Sequence, residues 1–454
     1  MESSYLTKRL LLLLCSIAFS AGATTRTVTN TSDNGQGSLR DTIAASTSGD
    51  TIDFTAGLTG TITLTNGQLA LTTNLTISGP GAGVLNISGH TNSRVFNITG
   101  GTVNLSGLGI SDGSSGSGGG IANTATLNLS SCIFSNNSAD TPGGAILNSG
   151  TLSVSRCMFR NNSVRFAVGG GLMNSGTASV NDSTFFNNIA VNTNNPGGGA
   201  LFSFGTLTLT NCTISGNFAG RGAGISTLPG AVVKMSGCTV CSNQCSNGTN
   251  GNGGGIYFGG ASLEIQNSII AGNSSSAGGP DVFVAGANVL VSDGHNLIGD
   301  TNGSTGWVAS DLIGSSNALL DAKLGPLQEN GGPSWTHALK PGSPAIDAGR
   351  TFGRAADQRG RSLVVDLPYI ADAVGGDGSD IGAFELNPPM LNIARVGAYV
   401  LLFWPTSDPD YVLQSSDSLS PPAWAPFADA PVVVGNHYIA VDNVMSRHFY
   451  RLRQ

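Results

Sequence analysis

Charge is scarce in this chain. Only 10% of its 454 residues are Asp, Glu, Lys or Arg, against about a quarter in an ordinary soluble domain. No Lys/Arg run follows the first few residues, and the formal charge is −7 with a pI near 5.1. Nucleic acid and anionic membrane surfaces both need a concentrated basic face, so neither is an expected partner. Aromatic residues make up 6% and proline is counted at 18. No apolar run after residue 19 is long enough to span a bilayer, which takes about 20 residues. A P-loop, a dinucleotide fingerprint, a zinc-ligand spacing and a nucleophile elbow are all missing.

Glycine, at 66 residues, is what the chain has in excess. With so little proline, that load implies many tight turns, not disorder. The hydrophobic share of 39% fills a core if the core is long and thin. The N-terminus reads as a secretory signal over residues 1–23. Lys8 and Arg9 are followed by the uncharged stretch Leu10 to Phe19 and the small-x-small site Ala21-Gly22-Ala23, leaving Thr24 as the mature start. Leu14 before Cys15 argues against a lipoprotein.

Two motifs repeat in phase. One is glycine-rich: Gly118-Gly119-Gly120-Ile121, Gly143-Gly144-Ala145-Ile146, Gly169-Gly170-Gly171-Leu172, Gly198-Gly199-Ala200-Leu201, Gly222-Ala223-Gly224-Ile225 and Gly253-Gly254-Gly255-Ile256. The other pairs an apolar residue with Asn three positions on: Phe134/Asn137, Phe159/Asn162, Phe185/Asn188, Ile214/Asn217, Val240/Asn243 and Ile270/Asn273. Successive asparagines lie 25, 26, 29, 26 and 30 residues apart. Between the motifs runs a strand of period two. Its inward slots hold Leu127, Leu152, Ala178, Leu207, Val233 and Leu263, then Leu129, Val154, Val180, Leu209, Met235 and Ile265. The outward slot between them holds Asn128, Ser153, Ser179, Thr208, Lys234 and Glu264.

A repeat of this length, with strands and no helical period, predicts an all-β fold, a right-handed parallel β-helix (a pectin-lyase-like solenoid), over 24–300. Coils stack at about 4.8 Å, so equal positions form ladders. Strands are expected upstream at Thr61 to Leu71, Asn74 to Ser78, Val95 to Thr99 and Val103 to Ile110. Cys132, Cys157, Cys212 and Cys238 share a register with Ser183 and Ser268 and read as small buried ladder residues. Adjacent coils leave Cys132–Cys157 and Cys212–Cys238 bridges open as options, and Cys241 with Cys245 can close a loop.

The paired motifs resemble the repeats of chlamydial-type polymorphic outer membrane proteins. Gly37-Ser38-Leu39-Arg40-Asp41-Thr42-Ile43, followed by Gly49 to Phe54, is similar to the SLREAI-type N-terminal segment of secreted β-helices. There Ser38 is the expected N-cap of a short helix covering the first coil. Residues 301–388 resemble the choice-of-anchor Q domain, carried by Gly294-His295-Asn296-Leu297-Ile298-Gly299 at its approach, Leu324-Gly325-Pro326-Leu327, Pro341-Gly342-Ser343-Pro344-Ala345-Ile346-Asp347-Ala348-Gly349, Asp357-Gln358-Arg359-Gly360 and Asp380-Ile381-Gly382-Ala383-Phe384-Glu385. The resemblance implies an exported surface protein and no particular catalysis. No membrane-barrel segment accompanies the repeats in this sequence, so self-translocation is not expected. Residues 389–454 resemble a small β-sandwich module, with strands at Leu391 to Ile393, Tyr399 to Trp404, Tyr411 to Gln414, Val432 to Val434, Tyr438 to Val441 and Phe449 to Leu452.

For chemistry the sequence offers little. Asp112, Asp140, Asp182, Glu264 and Asp281 occupy different slots, so no carboxylate pair for hydrolysis is evident. Arg156, Arg160 and Arg165 are the basic candidates for a saccharide site and read as a solubilising face. His295 reads as structural. Asp372, Asp377, Asp380 and Glu385 invite a Ca²⁺ site, but lack a recognised loop spacing. The plainer reading has Asp347, Asp357, Asp380 and Glu385 pairing with Arg359 and Arg361 to lock the cap. The central outward slot is no threonine array, which argues against ice. No catalytic or cofactor-binding residue and no cofactor is expected, and the metal question stays open. The expectation is a monomeric rod, secreted or on the outer membrane surface, adhesin-like, binding polysaccharide or a surface protein. A polysaccharide lyase or glycoside hydrolase on the same fold is the alternative.

Overall fold

The computed structural model describes residues 22–191, 197–246, 250–367, 370–406, 411–443 and 448–453. The predicted signal lies outside them except for Gly22 and Ala23. The repeat forms a parallel β-helix. Each regular coil contributes four strands, as in Ile121–Asn123, Thr126–Ser130, Ile133–Ser135 and Ser138–Ala139. Stacked coils build four parallel sheets of 9, 11, 11 and 6 strands respectively. They are called here the glycine-motif, long-strand, phenylalanine and short sheets.

The register matches the sequence pattern. Leu127 pairs with Leu152 and Leu129 with Val154, and the two inward slots continue through Leu207 and Leu209 to Leu263 and Ile265. These side chains form one continuous apolar column. Within it Phe134, Phe159 and Phe185 stack face to face, with centroids 4.7 and 4.3 Å apart. Glycine is required where coils touch. A Cβ on Gly119 would stand 2.1 Å from the Ser138 carbonyl oxygen, and one on Gly144 2.3 Å from that of Gly170.

The asparagines form the expected ladder. Both the backbone N–H and Nδ2 of Asn137 donate to Oδ1 of Asn162, and the pattern repeats through Asn188, Asn217, Asn243 and Asn273. All six described cysteines are free and buried. Cys132, Cys157, Cys212 and Cys238 serve as ladder residues: the Cys132 N–H points at Cys157 Sγ, and the Cys157 N–H donates to Ser183 Oγ. Neither the coil-to-coil bridges nor the Cys241–Cys245 loop closure is formed.

At the first coil, Ser38 Oγ accepts from Asp41 N and caps the helix Leu39–Ala45, whose Leu39 is fully buried in the core. The strand Leu85–Ser88, between two of the predicted ones, was not evident from the sequence. Its run is short and follows a glycine-rich turn.

Residues 301–388 do more than close the last coil. Leu312–Ile313 adds a final parallel strand to the phenylalanine sheet. The chain then turns back through the antiparallel ribbon Leu324–Gln328/Thr336–Leu339 and runs along that sheet's outer flank. Hydrogen bonds fasten it to successive coils at Thr184, Thr213, Thr239 and Asn267. Three of these partners mark a change in the slot preceding the stacked phenylalanines. It holds Ile133 and Met158 in the earlier coils, and Thr184, Thr213 and Thr239 in coils to which the returning segment is hydrogen-bonded. A covered hydroxyl needs a partner, and Gln358 supplies one to two of them.

After residue 388 two antiparallel sheets, of four and three strands, pack around Leu402, Trp404, Leu413 and Ala440. The expected strands are all present in this C-terminal region, joined by the short Ala425–Pro426.

Candidate ligand-binding faces

The long-strand sheet presents the most regular surface. Its outward positions at Thr102, Thr126, Thr151, Thr177 and Thr206 align by strand pairing into one column. The central column holds Asn104, Asn128, Ser153, Ser179 and Thr208, and the third Ser106, Ser130, Ser155, Asn181 and Thr210. Every outward position on these five strands therefore carries an uncharged hydroxyl or amide. The central column partly bonds to itself, Asn128 Nδ2 donating to Asn104 Oδ1 at 2.8 Å. The sequence reading followed only this central slot and so missed the threonine column beside it. Period-two alternation already marked those residues as outward-facing.

The uncharged face ends at a groove of about 350 Å³ lined by Thr210, Lys234, Glu264, Asp293, Phe352 and Arg354. Lys234 Nζ lies 2.6 Å from Glu264 Oε2. Arg354 donates to Asn211 Oδ1 at 2.7 Å and to the Thr351 carbonyl. Gly237 leaves room for that guanidinium, since a Cβ would stand 1.8 Å from Nη1. Phe352 holds a left-handed backbone at φ 47°, uncommon for a bulky residue, and packs edge-on against His295.

A second cleft, of about 540 Å³, opens where the returning segment meets the phenylalanine sheet. Cys241, Ala271, Asp281, Asp300, Asp321, Leu320 and His337 line it. The sequence brought only Asp281 of these three carboxylates to notice. Asp281 Oδ1 ends the asparagine ladder and Oδ2 accepts from the Asp300 N–H. Burial outweighs these bonds and pushes its carboxyl up to about 6. Asp300 is tied to Ser316 Oγ and Asn302 N. Asp321 is exposed. His337 went unremarked in the sequence because its partners lie 12 and 122 residues away.

The other sequence candidates stay apart. Asp112 accepts from Ser88 and Ser111, Asp182 from Asn211, and Asp140 is exposed. Arg156 and Arg165 are exposed and Arg160 half-buried; they flank different strands of one coil. His295 is buried, with Nδ1 3.0 Å from the Ala348 carbonyl oxygen.

Of the ion pairs expected to lock the returning segment, Arg359–Asp357 is formed at 2.7 Å. Asp347, Asp380 and Glu385 are held by backbone amides instead: Asp380 Oδ1 accepts from Asp347 N, and Glu385 from Asp380 N and Val365 N. Backbone donors can follow the irregular chain more closely than two long arginines can. Asp377 takes Thr351 and Ser379. Among the described residues, no three His, Cys, Asp or Glu side chains stand together as a metal site would need, and no helix is long and apolar enough to cross a membrane.

No family model and no curated protein matches this sequence. Among solved structures, one described as the crystal structure of pectate lyase Pel9A is similar over 81% of this chain and 98% of its own, with a TM-score of 0.44 and 14% identity. A likeness at that level says nothing about activity.

Proposed function

We propose that this chain is an exported scaffold, extracellular or at the cell surface, that binds an extended neutral polysaccharide along its long-strand sheet. One observation carries the reading: the unbroken field of hydroxyls and amides from Thr102 to Thr210. A flat face whose donors and acceptors recur at about 4.8 Å suits a long, hydroxyl-rich, uncharged chain. Many weak hydrogen bonds then add along one rigid surface with little ordering cost on the protein side. The groove with Phe352 and Arg354 would receive one end of that chain. The signal-like N-terminus and the low charge agree with an exported protein.

The alternative, a polysaccharide lyase or glycoside hydrolase, would rest on the cleft with Asp281, Asp300 and Asp321. Two of those carboxylates are engaged in holding their own loops, which weighs against it. The test is to incubate the protein with a panel of neutral and acidic polysaccharides, assaying retained protein and newly formed chain ends together. Retention on neutral polymers without new ends is expected. New reducing or unsaturated ends would overturn the scaffold reading.

A further inference from the structure

Asp50 is fully buried at the first coil, and donors surround both of its carboxylate oxygens. Oδ1 accepts from the Thr24 backbone nitrogen at 2.8 Å and from Thr24 Oγ1 at 2.9 Å. Oδ2 accepts from Arg26 Nε at 2.8 Å and from the Thr47 N–H at 2.9 Å. These donors hold the carboxyl well below the usual carboxylate range, so Asp50 is charged. A buried carboxylate gains most from cationic donors, and Arg26 is the one cation among these four groups. Thr24 is exposed, as are Gly22 and Ala23 before it. The chain therefore reaches the fold from solvent, and its Thr24 nitrogen is tied to a buried charge. Thr24 is also the residue at which the Ala21-Gly22-Ala23 pattern places the mature start. Sequence and geometry meet at the same atom by separate routes.

We propose that removal of residues 1–23 is a maturation step that the fold itself registers, the freed α-ammonium of Thr24 becoming a second cation on Asp50. This step rests on the reading of the chain as exported. A leader peptidase adds water across the Ala23–Thr24 amide, and the C–N bond breaks. The oxygen of that water goes to the Ala23 carboxylate, and its two protons go to the Thr24 nitrogen, which becomes an ammonium. One of its N–H groups occupies the existing 2.8 Å bond to Asp50, and the others stay hydrated at an exposed residue. A neutral hydrogen bond thereby becomes a charge-assisted one without any movement of the coil. Arg26 keeps Oδ2, so the two cations do not compete for one oxygen. The precursor lacks the second ion pair and stays the less stable form until the leader is gone.

The test has two arms. In the first, the full chain is expressed in a secreting bacterial host, and the N-terminus of the exported protein is read from its intact mass. A start at Thr24 is expected. Export with a start at any other residue would overturn the proposal, whereas no export at all would sink the exported reading. The second arm compares purified chains 24–454 and 22–454, in which the Thr24 nitrogen is an ammonium and an amide respectively. Chain 24–454 should melt at least about 1 °C higher, and its α-amine should titrate above the ordinary value of about 8. Asp50→Asn should erase the difference in midpoint. If that variant does not fold, the α-amine titration of wild-type 24–454 decides. Equal midpoints of the two wild-type chains, or an unshifted amine, would overturn the pairing whatever the first arm shows.

Discussion

Asp281 Oδ1 accepts two hydrogen bonds from Asn273, one from its backbone N–H at 3.1 Å and one from Nδ2 at 2.8 Å. Each asparagine of the ladder donates twice to the next, so the column needs a pure acceptor at its end. A carboxylate meets that need. The turn that carries the Cys/Ser ladder ends the same way. Ser268 N donates to Asn296 Oδ1, and Asn296 N and Nδ2 both donate to Asp311 Oδ1.

Asp281→Ala is therefore expected to leave three donors without a partner, the two of Asn273 and the Asp300 N–H, and to cost at least about 1–3 kcal/mol. Thermal unfolding measures it. Asp140→Ala, at an exposed position, should change the midpoint little.

The stacked column predicts a larger loss in the core. Phe159 is sandwiched between Phe134 and Phe185, and Phe159→Ala should cost about 3–5 kcal/mol. Leu209 is fully buried, so Leu209→Asp places an unpaired charge in that column and should abolish cooperative folding. Denaturant titration distinguishes the two outcomes.

Docking of the returning segment hinges on Gln358. Its Nε2 donates to Thr184 Oγ1 and Ser334 Oγ, and its Oε1 accepts from Thr213 Oγ1 at 2.6 Å. Gln358→Ala should speed hydrogen exchange and limited proteolysis across residues 330–386 while the coils before Thr184 stay protected. Uniform destabilisation of all coils would contradict this.

Burial also sets the pH response. Asp347 is pushed up to about 6, Asp380 to about 7 and Glu385 to about 10. Each holds its proton more tightly folded than unfolded, so stability declines as pH rises from the ordinary carboxylate range near 4. For Asp347 and Asp380 the loss is complete once pH passes their folded values. Asp33 and Asp50 are lowered, the latter chiefly by the Thr47 N–H and Arg26, and act in the opposite sense below that range. Thermal midpoints should peak on the mildly acid side and fall toward neutrality. Glu385→Gln should flatten the alkaline decline.

Most of the β-helix was legible because it rests on local, repeated chemistry. Period-two alternation names the inward column, and a fixed Asn offset names the ladder. What joins distant segments was not legible. Gln358 meets Thr184 across 174 residues, and no spacing rule connects them. The threonines at 184, 213 and 239 were a signal in retrospect, being polar where Ile133 and Met158 had been apolar. The carboxylates near the chain's return were expected to seek arginines, but most found backbone amides, which carry no side-chain signature. The Ser215–His337 contact was hidden for the same reason as Gln358.

The most direct test of the binding reading is retention on an insoluble neutral polysaccharide after charging the threonine column. Thr151 and Thr177 are exposed register neighbours at its centre. The double variant Thr151→Glu/Thr177→Glu should fold like the wild type and lose at least about tenfold in affinity, roughly 1.4 kcal/mol, whereas Asp140→Lys on the short-sheet side should bind unchanged. Equal retention of the double variant and wild type would contradict the account.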